Sequence, residues 1–498
     1  MKSCVRLILC ILFLGTPAIT ATAQHTVRPS VVKVLVTHRY PSLTRPWTKR
    51  APQKSSGSGV VINGQVILTN AHVVGYASQI YIQAYQSDNK VSATVKAIAP
   101  EIDLAVLQLD DTEFFTEHPA LTLSPQLPKV KNTVNVYGYP IGGNELSITE
   151  GIVSRIEFTR YHPHDTSGLR IQIDAALNPG NSGGPAMIGD EIVGLVFSGI
   201  READNIGYLI PAEEIDTFLT DVNDGQYDGK PHLFDTFQTV ENESLRNKLG
   251  LNTHMGGAMI RKPYGRDANP LHEWDIITNI GSYDLDREGK IQITDDLRLA
   301  FLYQISRLTE QSKVAMTVYR DGKSQLIDVP VKVRRDLAIP FLRNHYPKYF
   351  IYGPLVFSVA TQEFVSSLGQ ARRFLSRSGS PLIERSDDEV AFPGEQIIVV
   401  CSPMFPHRIT KGYNDPLFAV LSEVNDIQIN NLDHLVEILR DSNGKYITFK
   451  FAGRQGDTLV FDRNEIAEST ETILEENDIR YQGSKSARAL WQTPQGVN

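Results

Sequence analysis

Asn178-Pro179-Gly180-Asn181-Ser182-Gly183-Gly184-Pro185 sets a serine among residues that suit neither a helix nor a regular strand. Glycines on both sides let the backbone turn sharply and approach another element closely. A nucleophilic serine needs that setting: an exposed hydroxyl, with backbone N–H groups nearby and no side chain in the way. Alone, the stretch reads first as a Gly/Pro-rich surface turn. Two stretches upstream decide between these readings.

Leu68-Thr69-Asn70-Ala71-His72-Val73-Val74 places a histidine at the end of an apolar strand, and Ile102-Asp103-Leu104-Ala105-Val106-Leu107 places an aspartate at the head of another. Either alone reads as a packed histidine or a turn aspartate. Both lie in a region, Ser30 to about Pro211, of short apolar runs separated by turn residues. Val31–Val36, Val60–Ile62, Val91–Ile98, Thr133–Tyr137 and Ile192–Phe197 are examples, and Asn63-Gly64 marks a hairpin. Many short strands without helical periodicity indicate a β-barrel or sandwich. His…Asp…Ser order in a β-barrel is the chymotrypsin arrangement. In it Ser182 attacks a peptide carbonyl, His72 takes the hydroxyl proton, and Asp103 fixes the imidazole tautomer. The N–H groups of Gly180 and Ser182 are the expected oxyanion donors, each worth on the order of 10²–10³ in rate. Asp88, Asp110 and Asp111 compete for the aspartate role but lie in turns or outside the strand head.

The chain has 498 residues, which at roughly 100–200 residues per domain suggests about three domains. Its net charge of -8 argues against nucleic acid as a main partner. Residues 1–23 read as a secretory signal peptide. Lys2 and Arg6 precede the apolar run Leu7–Leu14, which is too short to span a bilayer, and Ala21-Thr22-Ala23 offers cleavage before Gln24. A short uncleaved anchor is the alternative. Bulky Leu9 before Cys10 argues against a lipoprotein. Cys4 and Cys10 go with the leader, so Cys401 is left without a disulfide partner, in the strand-like run Ile397–Cys401. No Cys/His spacing suits a metal, and His162 and His164 merely flank Pro163 in a loop. No nucleotide-type glycine loop appears, so neither metal nor cofactor is expected.

A helix is expected at Ala212–Leu219, then a polar linker. Beyond it Leu245–Leu251 reads as a loop, Ala258–Ile260 and Asp275–Ile280 as strands, and Thr294–Glu310 as an amphipathic helix with Leu297, Ala300, Phe301, Ile305 and Leu308 on one face. Val314–Tyr319 and Leu326–Val333 read as strands joined by Asp321-Gly322. A similar order recurs from Tyr349 to Phe461, interrupted by Ser366–Pro393, which holds a basic helix-like piece around Arg372–Arg377 and a charged loop and is expected to be its least regular part. Asp462–Glu476 reads as a last helix with capping-box spacing at Asp462 and Glu465. The tail from Gly483 is expected to be mobile.

Thr69-Asn70-Ala71-His72-Val73-Val74, Asp103-Leu104-Ala105-Val106-Leu107 and Gly180-Asn181-Ser182-Gly183-Gly184-Pro185 resemble the three signatures of the HtrA (Deg) serine proteases. Gly57-Ser58-Gly59-Val60-Val61 and Asn205-Ile206-Gly207-Tyr208-Leu209-Ile210-Pro211 extend the likeness. The resemblance implies a mainly β chain: a chymotrypsin-like double β-barrel protease domain followed by two α/β PDZ-like domains. The boundaries it suggests are a signal peptide (1–23), protease domain (24–220), linker (221–232), PDZ-like domains (233–336 and 345–480) and tail (481–498). It further implies an ATP-independent endopeptidase for misfolded or unfolded proteins, exported to a Gram-negative periplasm or secreted. The protein would self-associate, often as trimers, without a stable membrane span. The family's specificity pocket falls on Leu177, Asn178, Val196, Phe197 and Ser198; with no acidic residue there, cleavage after small or medium apolar side chains is expected. Phe158–Gly168 falls on the family's sensor loop. Leu245–Leu251 falls on the carboxylate-binding loop of the first PDZ domain. It keeps only Gly250 of the usual glycine-rich pattern, so these domains are also read as contacting each other or the protease. The alternative functional reading is a non-proteolytic chaperone or PDZ scaffold, which an intact triad disfavours. An acyl hydrolase such as an esterase fits the barrel context less well.

Overall fold

The computed structural model describes residues 27–143, 145–161, 166–197, 207–265, 269–454 and 456–493. The expected leader (1–23), His162, His164, Ser198 and residues 494–498 lie outside them. Six strands, β1 (Val31–His38), β2 (Gln53–Ile62), β3 (Val66–Thr69), β4 (Ala77–Gln83), β5 (Val91–Ala99) and β6 (Leu104–Leu109), close into a barrel in the order β1-β2-β3-β6-β5-β4. Alternating apolar residues fill it, among them Val34, Ile67, Ile82 and Leu107. The Asn63-Gly64 hairpin forms between β2 and β3, with Gly64 and Gln65 both at positive φ.

The second barrel uses β7 (Thr122–Leu123), β8 (Thr133–Gly138), β9 (Ser147–Tyr161), β10 (Thr166–Ile173), β11 (Pro185–Ile188), β12 (Glu191–Phe197) and β13 (Gly207–Pro211). The β11–β12 pairing closes a ring of six, with β7 added at its margin. A shared core joins the barrels: Leu68 and Leu104 from the first meet Tyr137, Leu195 and Ile210 from the second. The helix Ala212–Asp221 seals it with Ile215 and Phe218. Its Glu214 is buried, accepts from Leu169 N at 3.0 Å and pairs with buried Lys230. Burial alone would raise the Glu214 pKa; the charges of Lys230 and Arg170 and two hydrogen bonds outweigh that and hold it down at about 2. Residues 221–232, expected as a linker, are therefore strapped to the protease domain rather than loose.

The next module is an antiparallel sheet of Thr236–Thr239, Ala258–Lys262, Ile276–Ile280, Lys313–Arg320 and Lys323–Pro330, with Tyr283–Asp284 paired at one side. Asp321 and Gly322 both take positive φ and make the expected hairpin. Two expectations fail here. The helix over Thr294–Glu310 is absent: Lys290–Thr294 and Leu297–Ala300 form a hairpin, and only Phe301–Gln304 (3-10) and Ile305–Leu308 (α) are helical. Ile291 and Leu299 face each other across that hairpin and are buried, so period-2 burial wins over the helical spacing. The expected loop Leu245–Leu251 is largely a helix, Glu243–Leu249, capped by Asn242 and closed by Gly250. Buried Arg246 inside it donates to the carbonyls of Val240, Asn252 and Met255, so this segment is tied to its own backbone. The module docks on the second barrel through Leu299 and Tyr303, and Arg307 pairs with Glu213.

The third module has a three-stranded sheet (Tyr349–Tyr352, Leu355–Val359, Ile398–Val400) and a four-stranded one (Ile427–Gln428, Leu421–Val424, Tyr446–Phe451, Leu459–Asp462). Leu432–Asp441 and Arg463–Glu476 are its long helices; Asp462 caps the latter, accepting from Asn464 N and Glu465 N. Cys401 is fully buried in its core. In the insertion Ser366–Pro393 the helix-like piece expected around Arg372–Arg377 is a helix, and the rest is more regular than expected. Ala371–Arg377 and Pro381–Glu384 lie within it and Gln362–Ser367 runs into it, all helical, because Leu368, Leu375 and Leu382 have a core to enter. The expected mobile tail is corrected also. Lys485–Trp491 is a helix, Ala487 is buried, and the Trp491 ring packs tilted against Phe350 and edge-on against Tyr352, with centroids at 5.3 and 5.9 Å.

Glu214→Gln leaves Lys230 and Arg170 buried beside a neutral amide. It should cost about 3 kcal/mol in denaturant unfolding. The Glu214 pKa is lowered on folding, so its stabilisation is present above the ordinary 4.5 and is lost as pH falls toward about 2. Acid titration of unfolding in wild type and variant should converge over that window.

Candidate active site

Ser58 on β2 is where the two barrels are joined around the serine loop. It is fully buried. Its N–H donates to Ser182 O at 2.9 Å, and its Oγ donates to Gly180 O at 2.7 Å while accepting from Tyr139 N at 2.8 Å. Its carbonyl accepts from Thr69 Oγ1 at 2.7 Å, three residues before His72. One serine thus touches the nucleophile loop, the second barrel and the approach to the histidine.

His72 sits on the short helix Ala71–Val74 that follows β3. Asp103 grips it twice: His72 N donates to Oδ1 at 2.8 Å, and Nδ1 lies 2.7 Å from Oδ2. An ionised carboxylate only accepts, so Nδ1 carries the proton and Nε2 is left as an acceptor. Asp103 stands at φ 60, a left-handed backbone held in place by Asn70 Nδ2 donating to its carbonyl at 3.0 Å. The His72 side chain is 44% exposed and that of Asp103 2%, so the ring is reachable and its partner is shielded. Burial pulls the His72 pKa down; the charge and hydrogen bond of Asp103 outweigh it, and the net shift is above 6.5. Asp111, one of the competing carboxylates, caps the turn at Glu113 instead.

The serine loop meets this pair through close backbone contact. A Cβ at Gly57 would touch both Val73 (2.7 Å) and Ser182 O (3.4 Å). Among the described residues no hydrogen bond joins Ser182 to His72. Gly180 has φ +105, and a Cβ there would lie 2.4 Å from Tyr139 O; at Gly183, φ +85, it would lie 2.1 Å from Ser58 O. Glycine at these two positions is thus a steric requirement of the loop. Ile141 N donates to Pro179 O at 2.7 Å, which in a planar trans peptide turns the Gly180 N–H to the opposite side. Neither the Gly180 nor the Ser182 N–H donates to another group among the described residues.

Of the expected pocket, Leu177 is half-buried against Gly207, Asn178 is exposed, and Phe197 is half-buried under the Arg170 guanidinium at 5.3 Å. The Val196 side chain turns into the barrel core, so Val196 offers the loop its backbone, accepting from Gly183 N and donating to Gly184 O. Of the expected sensor loop, Phe158–Tyr161 and Thr166–Gly168 pair as strands, and Phe158 packs on Tyr303 of the second module at 6.2 Å. Ser58, Thr69 and Asn70 are functional neighbours that sequence reasoning did not single out. Their signal was their place inside the quoted signature stretches, without a role for any one side chain.

A double barrel carrying this serine loop, histidine and aspartate defines a trypsin-like serine protease. Residues 57–195 match the family model described as a trypsin-like peptidase domain, and residues 342–486 match that of a PDZ domain. Protease Do-like 4, mitochondrial, of Arabidopsis thaliana is 34% identical over 459 residues, 89% of this chain and 85% of its own. Protease Do-like 2, chloroplastic, of the same plant is 33% identical over 428 residues, covering 85% and 69%. The solved structure named HtrA-type protease AlgW with tripeptide shares the fold at a TM-score of 0.50 and 24% identity, over 63% of this chain and 97% of that one. The chain belongs to the Do-like (HtrA) family of serine proteases.

The pH dependence of peptide hydrolysis should show its acidic limb above pH 6.5, with kcat/KM rising as His72 loses its proton. Asp103→Asn should lower kcat by about 10³–10⁴-fold, because the amide no longer imposes the Nδ1–H tautomer. Steady-state kinetics on a peptide substrate measure both.

Proposed function

We propose that this chain is an endopeptidase of protein quality control, cleaving unfolded or misfolded proteins without ATP. In this reading Ser182 is the nucleophile, His72 the general base and then acid, and Asp103 the group that orients it. Proton transfer to Nε2 frees the Ser182 oxygen to attack the scissile carbonyl. The N–H groups of Gly180 and Ser182 take the oxyanion, and His72 returns the proton to the departing amine as the acyl-enzyme forms. A water activated by the same Nε2 then releases the acyl group. The observation that carries the reading is the two-point grip of buried Asp103 on His72, at 2.8 and 2.7 Å, beside a serine loop in which the Gly180 and Ser182 N–H groups donate to no other group among the described residues.

Leu177, Asn178, Phe197 and Ser198 are proposed to line the specificity pocket, with Val196 contributing backbone. No acidic side chain is among them, which supports cleavage after small or medium apolar residues. The second module, 236–330, is proposed as a PDZ-like unit like the third, on the strength of its antiparallel sheet and short helices. Export rests on the leader in residues 1–23. Relatives whose names carry a location are mitochondrial or chloroplastic, which weighs against confining the reading to a Gram-negative periplasm. Among the described residues no helix is long and apolar enough to cross a membrane.

Unfolded casein incubated with mature protein should be cleaved, and Ser182→Ala should abolish cleavage while binding persists. Equal, background rates for both proteins at every temperature tried would leave the scaffold reading in its place. Self-association in protease-domain trimers belongs to the same proposal; light scattering of the mature protein should return a multiple of three chains, and a monomer would remove that part.

A further inference from the structure

The segment joining the second and third modules returns to the protease domain. Glu101, two residues before Asp103, is 8% exposed, and its Oε1 lies 2.7 Å from Arg343 Nε and 3.9 Å from Arg334 Nε. The Arg343 N–H is not aimed along that line, so this is a contact of charges more than a hydrogen bond. Tyr76, four residues after His72, donates its N–H to Asn344 Oδ1 at 2.6 Å and its hydroxyl to His345 O at 3.2 Å. The Tyr76 ring also packs edge-on to Tyr346 at 5.6 Å, and Tyr346 donates to Arg39 O at 2.9 Å.

Arg343 and Asn344 stand in left-handed backbone at φ 48 and 66. Asparagine tolerates that conformation; arginine takes it at a cost, so surrounding contacts must hold it there. The two adjacent side chains reach different turns of the first barrel. Tyr76 is itself at φ 52 and lies against Gly75, whose carbonyl is 2.7 Å from His38 Nδ1. The turns that present His72 and Asp103 are thus each tied to consecutive residues of a strap that runs into Tyr349, the first strand residue of the third module.

We propose that Arg343 and Asn344 are positioning residues for the proteolytic reaction. Through Glu101 and Tyr76 they fix the relative placement of the Asp103 and His72 turns, which makes the third module a structural requirement of the acid–base pair. The inference rests on the roles given above to His72 and Asp103. A strap that shifts with the third module moves both turns, and a misplacement on the order of 1 Å at a catalytic group costs about 10²-fold.

The test uses the full-length chain. Asn344→Gly keeps the left-handed backbone and deletes the acceptor; Asn344→Asp keeps an acceptor; Glu101→Gln removes the charge; Asp336→Asn is a control on the same strap. Peptide hydrolysis, its pH profile, thermal unfolding and the downfield proton resonance of His72 Nδ1–H are measured for each. Asn344→Gly and Glu101→Gln should lower kcat by about tenfold to a hundredfold. KM should stay within about twofold. The acidic limb and the His72 resonance should shift, while Asn344→Asp and Asp336→Asn stay at wild type. Wild-type kcat, limb and resonance in both Asn344→Gly and Glu101→Gln overturn the proposal. If Asn344→Gly does not fold, Glu101→Gln decides on the same readouts. If the wild type shows no Ser182-dependent cleavage, the proteolytic reading falls on its own; a resonance that then moves supports the strap, and one that does not overturns it.

Discussion

A single buried hydroxyl group, Ser58 Oγ, fixes the geometry on which the site depends. It donates to Gly180 O and accepts from Tyr139 N, so its one proton and one of its lone pairs are engaged and both bonds favour a single rotamer. Its backbone holds Ser182 from one side and Thr69 from the other. Without side chains at Gly180 and Gly183, the loop can press against these groups at distances that a Cβ would forbid. The consequence is a nucleophile loop whose shape is set by the opposite barrel. Inter-barrel packing and the geometry at Ser182 are therefore one property of the chain. Leu68, Tyr137 and Leu195, from both barrels, share the core on which that property rests.

Charge is handled differently in different parts of the chain. At the site, a nearly buried carboxylate is matched to a half-exposed imidazole, so the pair remains responsive to solvent pH. At the junction to the second module, Glu214 and Lys230 are both buried and matched to each other, and Glu214 stays ionised down to about 2. The first arrangement serves chemistry and the second serves registration of the helix, β10 and the strap after it. Buried pairs of this kind add little net stability but penalise wrong docking heavily, because a misplaced module would strand a charge in a dry environment.

Local chemistry made part of this structure legible before any coordinates. His72, Asp103 and Ser182 stood in short stretches that are each ambiguous alone and became readable through their order within a run of short strands, and the hairpin turns at Gly64 and at Asp321-Gly322 use left-handed backbone. The failures share one cause, which is that contacts distant in sequence decide what a weak local pattern becomes. Leu297 to Leu308 has helical spacing, yet Leu299 lies opposite Ile291 and buries against the second barrel, which makes a hairpin of its first half. Leu375 and Leu382, in the insertion expected to be least regular, are buried in a core built by residues distant in sequence. Ser58, Thr69 and Asn70 stood inside the quoted signature stretches, but the sequence assigned them no individual role; only the partner that each side chain meets in the fold gives it one.

The helix at Lys485–Trp491 has a bearing on the order in which this protein assembles. Trp491 covers Phe350 and Tyr352, and Ser484 N donates to Tyr349 O, so strands at the start of the third module are finished by the last element described. Residues some 140 apart in sequence must meet before that sheet is shielded from water, estimated from chain positions alone. On a ribosome the two barrels can close long before that helix emerges, whereas the third module cannot. Synthesis therefore passes through an interval in which the double barrel is complete and its downstream neighbour is still open, exposing the aromatic face of Phe350 to the surroundings.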